Sequence, residues 1–251
     1  MSGRLAALEK EVIACRACPR LVAWREEVAR VKRRAYREWE YWGRPVPGFG
    51  DPRPGGLYVL GLAPGAHGGN RTGRMFTGDR SGDFLYAALH RAGIASQAVS
   101  RAREDGLRLR GAFISNAARC VPPGNRPGPE ELRRCSGFLD REVGLLRPRV
   151  ILALGAVAWA SALGVMERKG HALPRPRPAF GHGALWEPAG ARAPSVLGCY
   201  HVSQQNTQTG RLTAAMFDEV LQRALELLEP GLHLDSGRSG GLSRAPSQRG
   251  G

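Results

Sequence analysis

Lysine is almost missing from this chain. Of its 37 basic residues only Lys10, Lys32 and Lys169 are lysines, and the other 34 are arginines. Long apolar runs are missing as well. No stretch approaches the ~18–20 residues that span a bilayer, which excludes a helical membrane protein. The first residues carry no apolar core of a secretory signal. The expected location is therefore the cytosol, close to the nucleoid, with no membrane partner. No internal repeat is present. No flavin or nicotinamide fingerprint is present either, so no nucleotide cofactor is expected and an electron-transfer role is disfavoured. Cysteine is scarce, with five in the chain. In a reducing compartment five thiols do not read as a disulfide framework, and metal binding becomes the better reading.

What is present is length, positive charge and glycine. The chain has 251 residues, enough for one large α/β domain with a full core. Its net charge is +15 and its pI about 10.8. A surplus of that size favours a polyanionic partner, most simply nucleic acid. Part of the arginine excess, together with 34 glycines, also fits a GC-rich coding bias.

The densest glycine lies in Gly61–Gly82, GLAPGAHGGNRTGRMFTGDRSG. An apolar run, Leu57–Leu60, precedes it and reads as a strand. Asp83–Ala92 follows and reads as a helix. A strand-to-helix loop of this composition lets main-chain N–H groups approach a ligand. It is also too long for a plain connection.

Residues 1–14 carry a short helical pattern. Leu21–Trp42 is the longest helix candidate, with Leu21, Trp24, Val28, Val31, Ala35, Trp39 and Trp42 on one stripe. Arg25, Arg30, Lys32, Arg33, Arg34 and Arg37 lie off that stripe, as either a solvated face or a phosphate-facing one. Further strands are expected at Gly111–Asn116, Arg149–Leu154 and Ser195–Tyr200, with a short one near Ala179–Phe180. Further helices are expected at Pro129–Leu146, Gly155–Leu163 and Thr213–Leu228. Alternating strands and helices predict an α/β fold. The expectation is a single three-layer αβα domain over residues 1–229, with a central, mainly parallel four-stranded sheet. Residues 230–251, rich in Gly, Ser and Arg, are expected to be a disordered tail. Residues 61–82, 116–123 and 201–211 each follow a strand, so they should converge on one edge of the sheet.

Cys15 and Cys18 form a C-x2-C pair, and Cys120 and Cys135 a C-x14-C pair. Four thiolates can close one metal site, and an iron–sulfur cluster and zinc both accept four sulfurs. Cys199 lies in an apolar strand and reads as a core thiol.

Together these features resemble the uracil-DNA glycosylase superfamily, and most closely its family 5, also called type b. The resemblance is carried by GLAPGAHG at Gly61–Gly68 with NRTGRMFTGDRSG after it, by SNAARCVPP, by HVSQQNTQTGRLT at His201–Thr213, and by the four cysteines. It implies a hydrolase that flips uracil out of DNA and cuts its N-glycosyl bond, leaving an abasic site. Hypoxanthine, xanthine and related deaminated bases are further candidate substrates. It implies Asp79 and His201 as catalytic. It implies Gly61, Leu62, Ala63, Phe76, Asn116 and His201 around the base. His67, Asn70, Arg71, Gln205, Asn206 and Arg211 are the expected DNA contacts. A structural [4Fe–4S] cluster on Cys15, Cys18, Cys120 and Cys135 is implied too, in a protein expected to act as a monomer.

The residue types suit that chemistry. Asn116 can read the edge of uracil, Phe76 offers a stacking face, and His201 can donate to O2 as the base leaves. Several relatives carry a polar residue where Ala63 stands, so the carboxylate role falls to Asp79, whose plain reading is a helix N-cap. The second motif departs from the usual His-Pro-Ser and reads His201-Val202-Ser203, which frees the loop path that proline would fix. The competing class is a non-catalytic nucleic-acid-binding protein with the cluster as a staple.

Overall fold

The computed structural model describes residues 2–189 and 193–228. The tail expected at 230–251 lies outside the described residues. In chain order the elements are α1 (Ser2–Ala14), α2 (Pro19–Val31), β1 (Phe49–Gly50), β2 (Leu57–Gly61), α3 (Gly69–Thr72), α4 (Arg80–Arg91) and β3 (Ala112–Asn116). Then come α5 (Pro129–Leu146), β4 (Val150–Leu154), α6 (Ala156–Arg168), β5 (Leu185–Trp186), β6 (Ser195–Cys199), α7 (Gln204–Gln208) and α8 (Ala214–Glu226).

Among the described residues six strands, not four, form the sheet, in the order β1-β3-β2-β4-β6-β5. The four expected strands are its centre, and all their pairings are parallel. The two additions are two-residue antiparallel edges, β1 on β3 and β5 on β6. Neither is long enough to leave a period in the sequence. The second edge strand lies at Leu185–Trp186, a few residues after the expected Ala179–Phe180.

Every residue of β2, β3 and β4 is buried. That is why these strands read as continuous apolar runs without alternation. Within β2 the side chains alternate between two cores. Leu57 and Val59 face α4 and α8, in company with Leu85, Leu89, Phe217 and Leu221. Tyr58 and Leu60 face α1, α5 and α6, in company with Leu8, Leu139, Val143 and Leu163. Each fully buried Leu or Val contributes roughly 1.5–3 kcal/mol, so the two cores together supply the main stabilisation.

The helix expected over Leu21–Trp42 stops early. α2 ends at Val31, where Lys32 turns to φ 57° and its N–H bonds the carbonyl of Val28. A 3-10 turn follows at Arg34–Tyr36. Past the helix end, Trp39 of the expected stripe stands beside Tyr36 under a buried arginine. The guanidinium of Arg71 lies over the rings of Tyr36 and Trp39, at 4.0 and 4.1 Å.

β2 pairs β3 on one side and β4 on the other, so the chain reverses its direction of winding at β2. In a doubly wound sheet such a reversal opens a crevice at the carboxyl ends of the strands. The loops after β2, β3, β4 and β6 all emerge there.

Candidate active site

The crevice is built around Gly61, the last residue of β2. A side-chain carbon placed there would lie 2.3 Å from Asn116 Oδ1 and 2.5 Å from Phe76 Cζ. Glycine is required because those two groups close on it from either side. Asn116 arrives as the last residue of β3, in register with Gly61. It is buried, its Nδ2 donates to Met75 Sδ at 2.9 Å, and among the described residues its Oδ1 has no partner.

Phe76 adopts φ 50°, outside the comfortable range for an aromatic residue. Such a conformation costs on the order of 1–3 kcal/mol and persists only where its neighbours over-determine it. They do so here. The Met75 carbonyl accepts from Tyr86 Oη at 3.0 Å and from Thr77 Oγ1 at 3.1 Å. Thr77 and Ser100 in turn bond Arg74, which is buried and paired with Asp105 at 2.8 Å. Ser100, Arg103 and Asp105 therefore brace this loop through Arg74.

Asp79 serves two ends. Its Oδ1 accepts from the Gly82 N–H at 3.0 Å and caps α4, which is the plain reading of the sequence. Its Oδ2 lies over the first turn of the loop, 1.8 Å from where a side-chain carbon would sit on Gly68 and 2.7 Å from one on Gly65. Burial raises its pKa above the usual carboxylate value. His201, two residues past β6, packs beside Gly155, and its ring lies 6.5 Å from that of Phe76. Burial lowers its pKa, so the ring is neutral at pH 7. The Asn206 amide holds the His201 carbonyl at 2.8 Å.

Leu62 and Ala63 begin the loop and are half-buried. The Leu62 carbonyl accepts from Ala118 N–H at 2.9 Å. Among the described residues the N–H groups of Leu62 and Ala63 donate to no protein acceptor. They are donors available to a ligand at the mouth of β2.

The residues expected to grip DNA divide into two groups. Gln205 and Arg211 are exposed, and the Arg211 guanidinium lies 4.9 Å from the Tyr200 ring. His67 is half-buried, with Nδ1 3.0 Å from Tyr41 Oη. Asn206 is half-buried and spent on His201. Asn70 and Arg71 are placed inside the protein. Asn70 donates to the Arg25 carbonyl at 3.1 Å. Arg71 bonds the carbonyls of His67 and Gly78 at 2.7 and 2.8 Å. Both hold the loop's own shape. They are 0 % and 4 % exposed rather than at the surface expected to meet DNA, and among the described residues Asn70 Oδ1 and Arg71 Nη1 have no partner.

Cys15, Cys18, Cys120 and Cys135 line one small pocket between α2, the loop after β3 and α5. All four are free thiols. Burial pushes Cys120 up to about 11 and raises Cys18 and Cys135. Among the described residues no group of three or more His, Cys, Asp or Glu side chains is arranged to hold a metal ion. Two buried arginines line the same pocket. Arg25 donates to Cys120 Sγ at 3.0 Å, and Arg119 pairs with Glu142 at 2.7 Å. Among the described residues the Nε of each has no partner. Four sulfurs beside two incompletely bonded guanidinium groups fit a sulfur-ligated group of negative charge. The sequence had shown Arg25 only as one of several arginines off an apolar stripe. Its burial, at 2 % exposure, carries no local signal.

Comparison with known proteins places the chain in a family. Residues 47–225 match the family model described as Uracil DNA glycosylase superfamily. A Type-5 uracil-DNA glycosylase of Mycobacterium tuberculosis is 54% identical over 229 residues, 90% of this chain and 82% of that protein. One of Thermus thermophilus is 52% identical over 222 residues, 88% and 97%. A Type-4 uracil-DNA glycosylase of Pyrobaculum aerophilum is 34% identical over 135 residues, 53% and 61%.

Proposed function

This chain belongs to the uracil DNA glycosylase superfamily, in its type-5 branch, and we propose that it excises uracil from DNA by hydrolysing the N-glycosyl bond. The observation that carries this reading is the closure of Phe76 and the unpartnered Asn116 Oδ1 on Gly61. A flat ring edge and an unspent acceptor at the switch point suit a base turned out of its stack.

In this mechanism the flipped uracil stacks on Phe76, a contact worth ~1–3 kcal/mol by analogy with other base–aromatic stacks. Asn116 Oδ1 accepts from N3–H. The second hydrogen of Nδ2 serves O4. As the C1′–N1 bond breaks, its electron pair leaves with the base and the sugar becomes oxocarbenium-like. Neutral His201 and the N–H groups of Leu62 and Ala63 donate to O2, where the base gathers negative charge. Asp79 faces the sugar. Burial makes its ionised form costly, and the developing cation relieves that cost in the transition state. Water forms the new bond to C1′ and gives its proton to Asp79 or to solvent. The departing base takes a proton at N1.

No lysine belongs to the loops that form the site. Lys10 lies on α1, Lys32 caps α2, and Lys169 follows α6. A Schiff-base step is therefore not part of the proposal, and the product is an intact abasic site. Hypoxanthine and xanthine share uracil's donor-next-to-acceptor edge and are proposed as further substrates. The protein is proposed to act as a monomer. The four cysteines would hold an iron–sulfur cluster, whose contribution is to tie α2 to the loop after β3 and to α5. A duplex bearing one uracil, incubated with pure protein and then alkali, should break at that position. An uncut strand would sink the proposal.

A further inference from the structure

We propose that Met75 sets base specificity by fixing which end of the Asn116 amide faces the base. The inference rests on the base-excision reading of the site.

An asparagine amide is nearly symmetric in shape and opposite in chemistry at its two ends. Turned one way it presents an acceptor to position 3 of a pyrimidine, and turned the other way it presents a donor. Uracil carries N3–H beside the O4 acceptor. Cytosine carries an N3 acceptor beside an amino group. An amide free to turn would fit both, and cytosine is a normal base of DNA. Some group must therefore hold it.

Met75 Sδ is that group. A thioether accepts hydrogen bonds and cannot donate. It lies 2.9 Å from Nδ2, inside a fully buried environment. Turning the amide would set Oδ1 against sulfur, acceptor against acceptor. The observed orientation leaves Oδ1 buried with no partner among the described residues, closed against Gly61 beside the Phe76 ring. A buried polar atom in that state is destabilising until a donor arrives. The N3–H of uracil supplies the donor, and the N3 of cytosine does not. The penalty is thus stored against the wrong base, a repulsive element of specificity.

Methionine is a flexible side chain, and this use of it needs an anchored backbone. The anchor is present. The Met75 carbonyl is held by the hydroxyls of Tyr86 and Thr77. The residues that impose the unusual φ of Phe76 therefore also set the sulfur.

The test uses Met75→Leu, which keeps volume and removes the acceptor. Free uracil and free cytosine are titrated into wild type and variant, with NMR of the Asn116 side-chain amide as the readout of binding. Wild type should bind uracil well above cytosine. In the variant, uracil binding should weaken about tenfold and cytosine binding strengthen about tenfold, the scale of one misplaced buried hydrogen bond. A looser pocket would weaken both bases alike, and that outcome overturns the inference. Unchanged affinities overturn it too, as does a wild type that binds neither base. Should Met75→Leu not fold, protein grown with norleucine in place of methionine keeps the chain shape without sulfur and should give the same reciprocal shift. Because binding is read without turnover, a wild type that selects uracil but cuts no DNA would sink the proposed activity and leave this inference standing.

Discussion

The side-chain amide of Asn70 donates to the main-chain carbonyl of Arg25 at 3.1 Å. One bond thus joins the helix beside the cysteines to the loop that presents Phe76 and Asp79. Asn70 also belongs to the loop's own fold, since its N–H bonds the Gly65 carbonyl and its carbonyl takes the Gly43 N–H. Asn70→Ala removes this buried bond from a carbonyl that already takes its helical N–H within α2. It should cost about 0.5–1.5 kcal/mol in chemical denaturation. Uracil excision should fall with it, while the salt dependence of DNA binding stays unchanged, because no phosphate contact has been removed.

Asp79→Asn should separate chemistry from capping. Asparagine caps helices as well as aspartate does, so α4 keeps its start. Excision should fall by about 10²–10³, the usual loss on removing one pre-organised electrostatic group. Stability should move the other way. The raised pKa means that the ionised form is costly in the folded protein. The variant should therefore be more stable than wild type at pH 7. The gain should vanish as pH falls through the raised folded pKa toward the ordinary carboxylate value, where both side chains are neutral. Melting curves across pH check the sign.

Gly61→Ala tests the centre of the site. The new methyl would collide with Asn116 Oδ1 and with the Phe76 ring. Overpacking of this kind costs about 1–3 kcal/mol. Displacing the two base-reading groups by about 1 Å should lower kcat/KM on the order of 10²-fold. Steady-state kinetics on a uracil oligonucleotide measure it.

Iron and acid-labile sulfide should co-purify with the protein and give it broad visible absorption. Cys120→Ala should lose most of both, together with thermal stability, since the cluster would link segments far apart in the chain. Arg25→Met removes the guanidinium from Cys120 Sγ without removing a ligand. The cluster should then bleach faster in air, followed by its absorbance decay. Colourless, iron-free protein from anaerobic purification would count against the assignment of the four thiols.

His201 should titrate below the ordinary histidine value. Burial lowers its pKa from the ordinary 6.5. A lowered histidine pKa means that protonation opposes folding, so this contribution is intact above pH 6.5 and lost as pH falls below it. Followed by NMR, the His201 ring should titrate at lower pH than an exposed histidine, and any activity limb it carries should lie below the ordinary histidine value.

Much of the site could be read from the chain alone because its signals are local. Buried parallel strands appear as apolar runs at Leu57–Leu60 and in SVLGC. The glycines of 61–82 mark a strand-to-helix loop, and Asp79 three residues before Gly82 marks an N-cap. Strand alternation with helices then brings Phe76, Asn116 and His201 to one sheet edge. What tertiary structure alone decided is where polar groups are spent. Arg25 meets Cys120 across 95 residues, and Asn70 meets Arg25 across 45. No sequence window contains either pair, so both asparagine and arginine looked fit for DNA. Met75 and Asn116 are 41 residues apart, and their contact turns an ambiguous amide into one with a defined face. Periodicity and turn chemistry are properties of neighbours in the chain. The partner of a buried donor is a property of the fold.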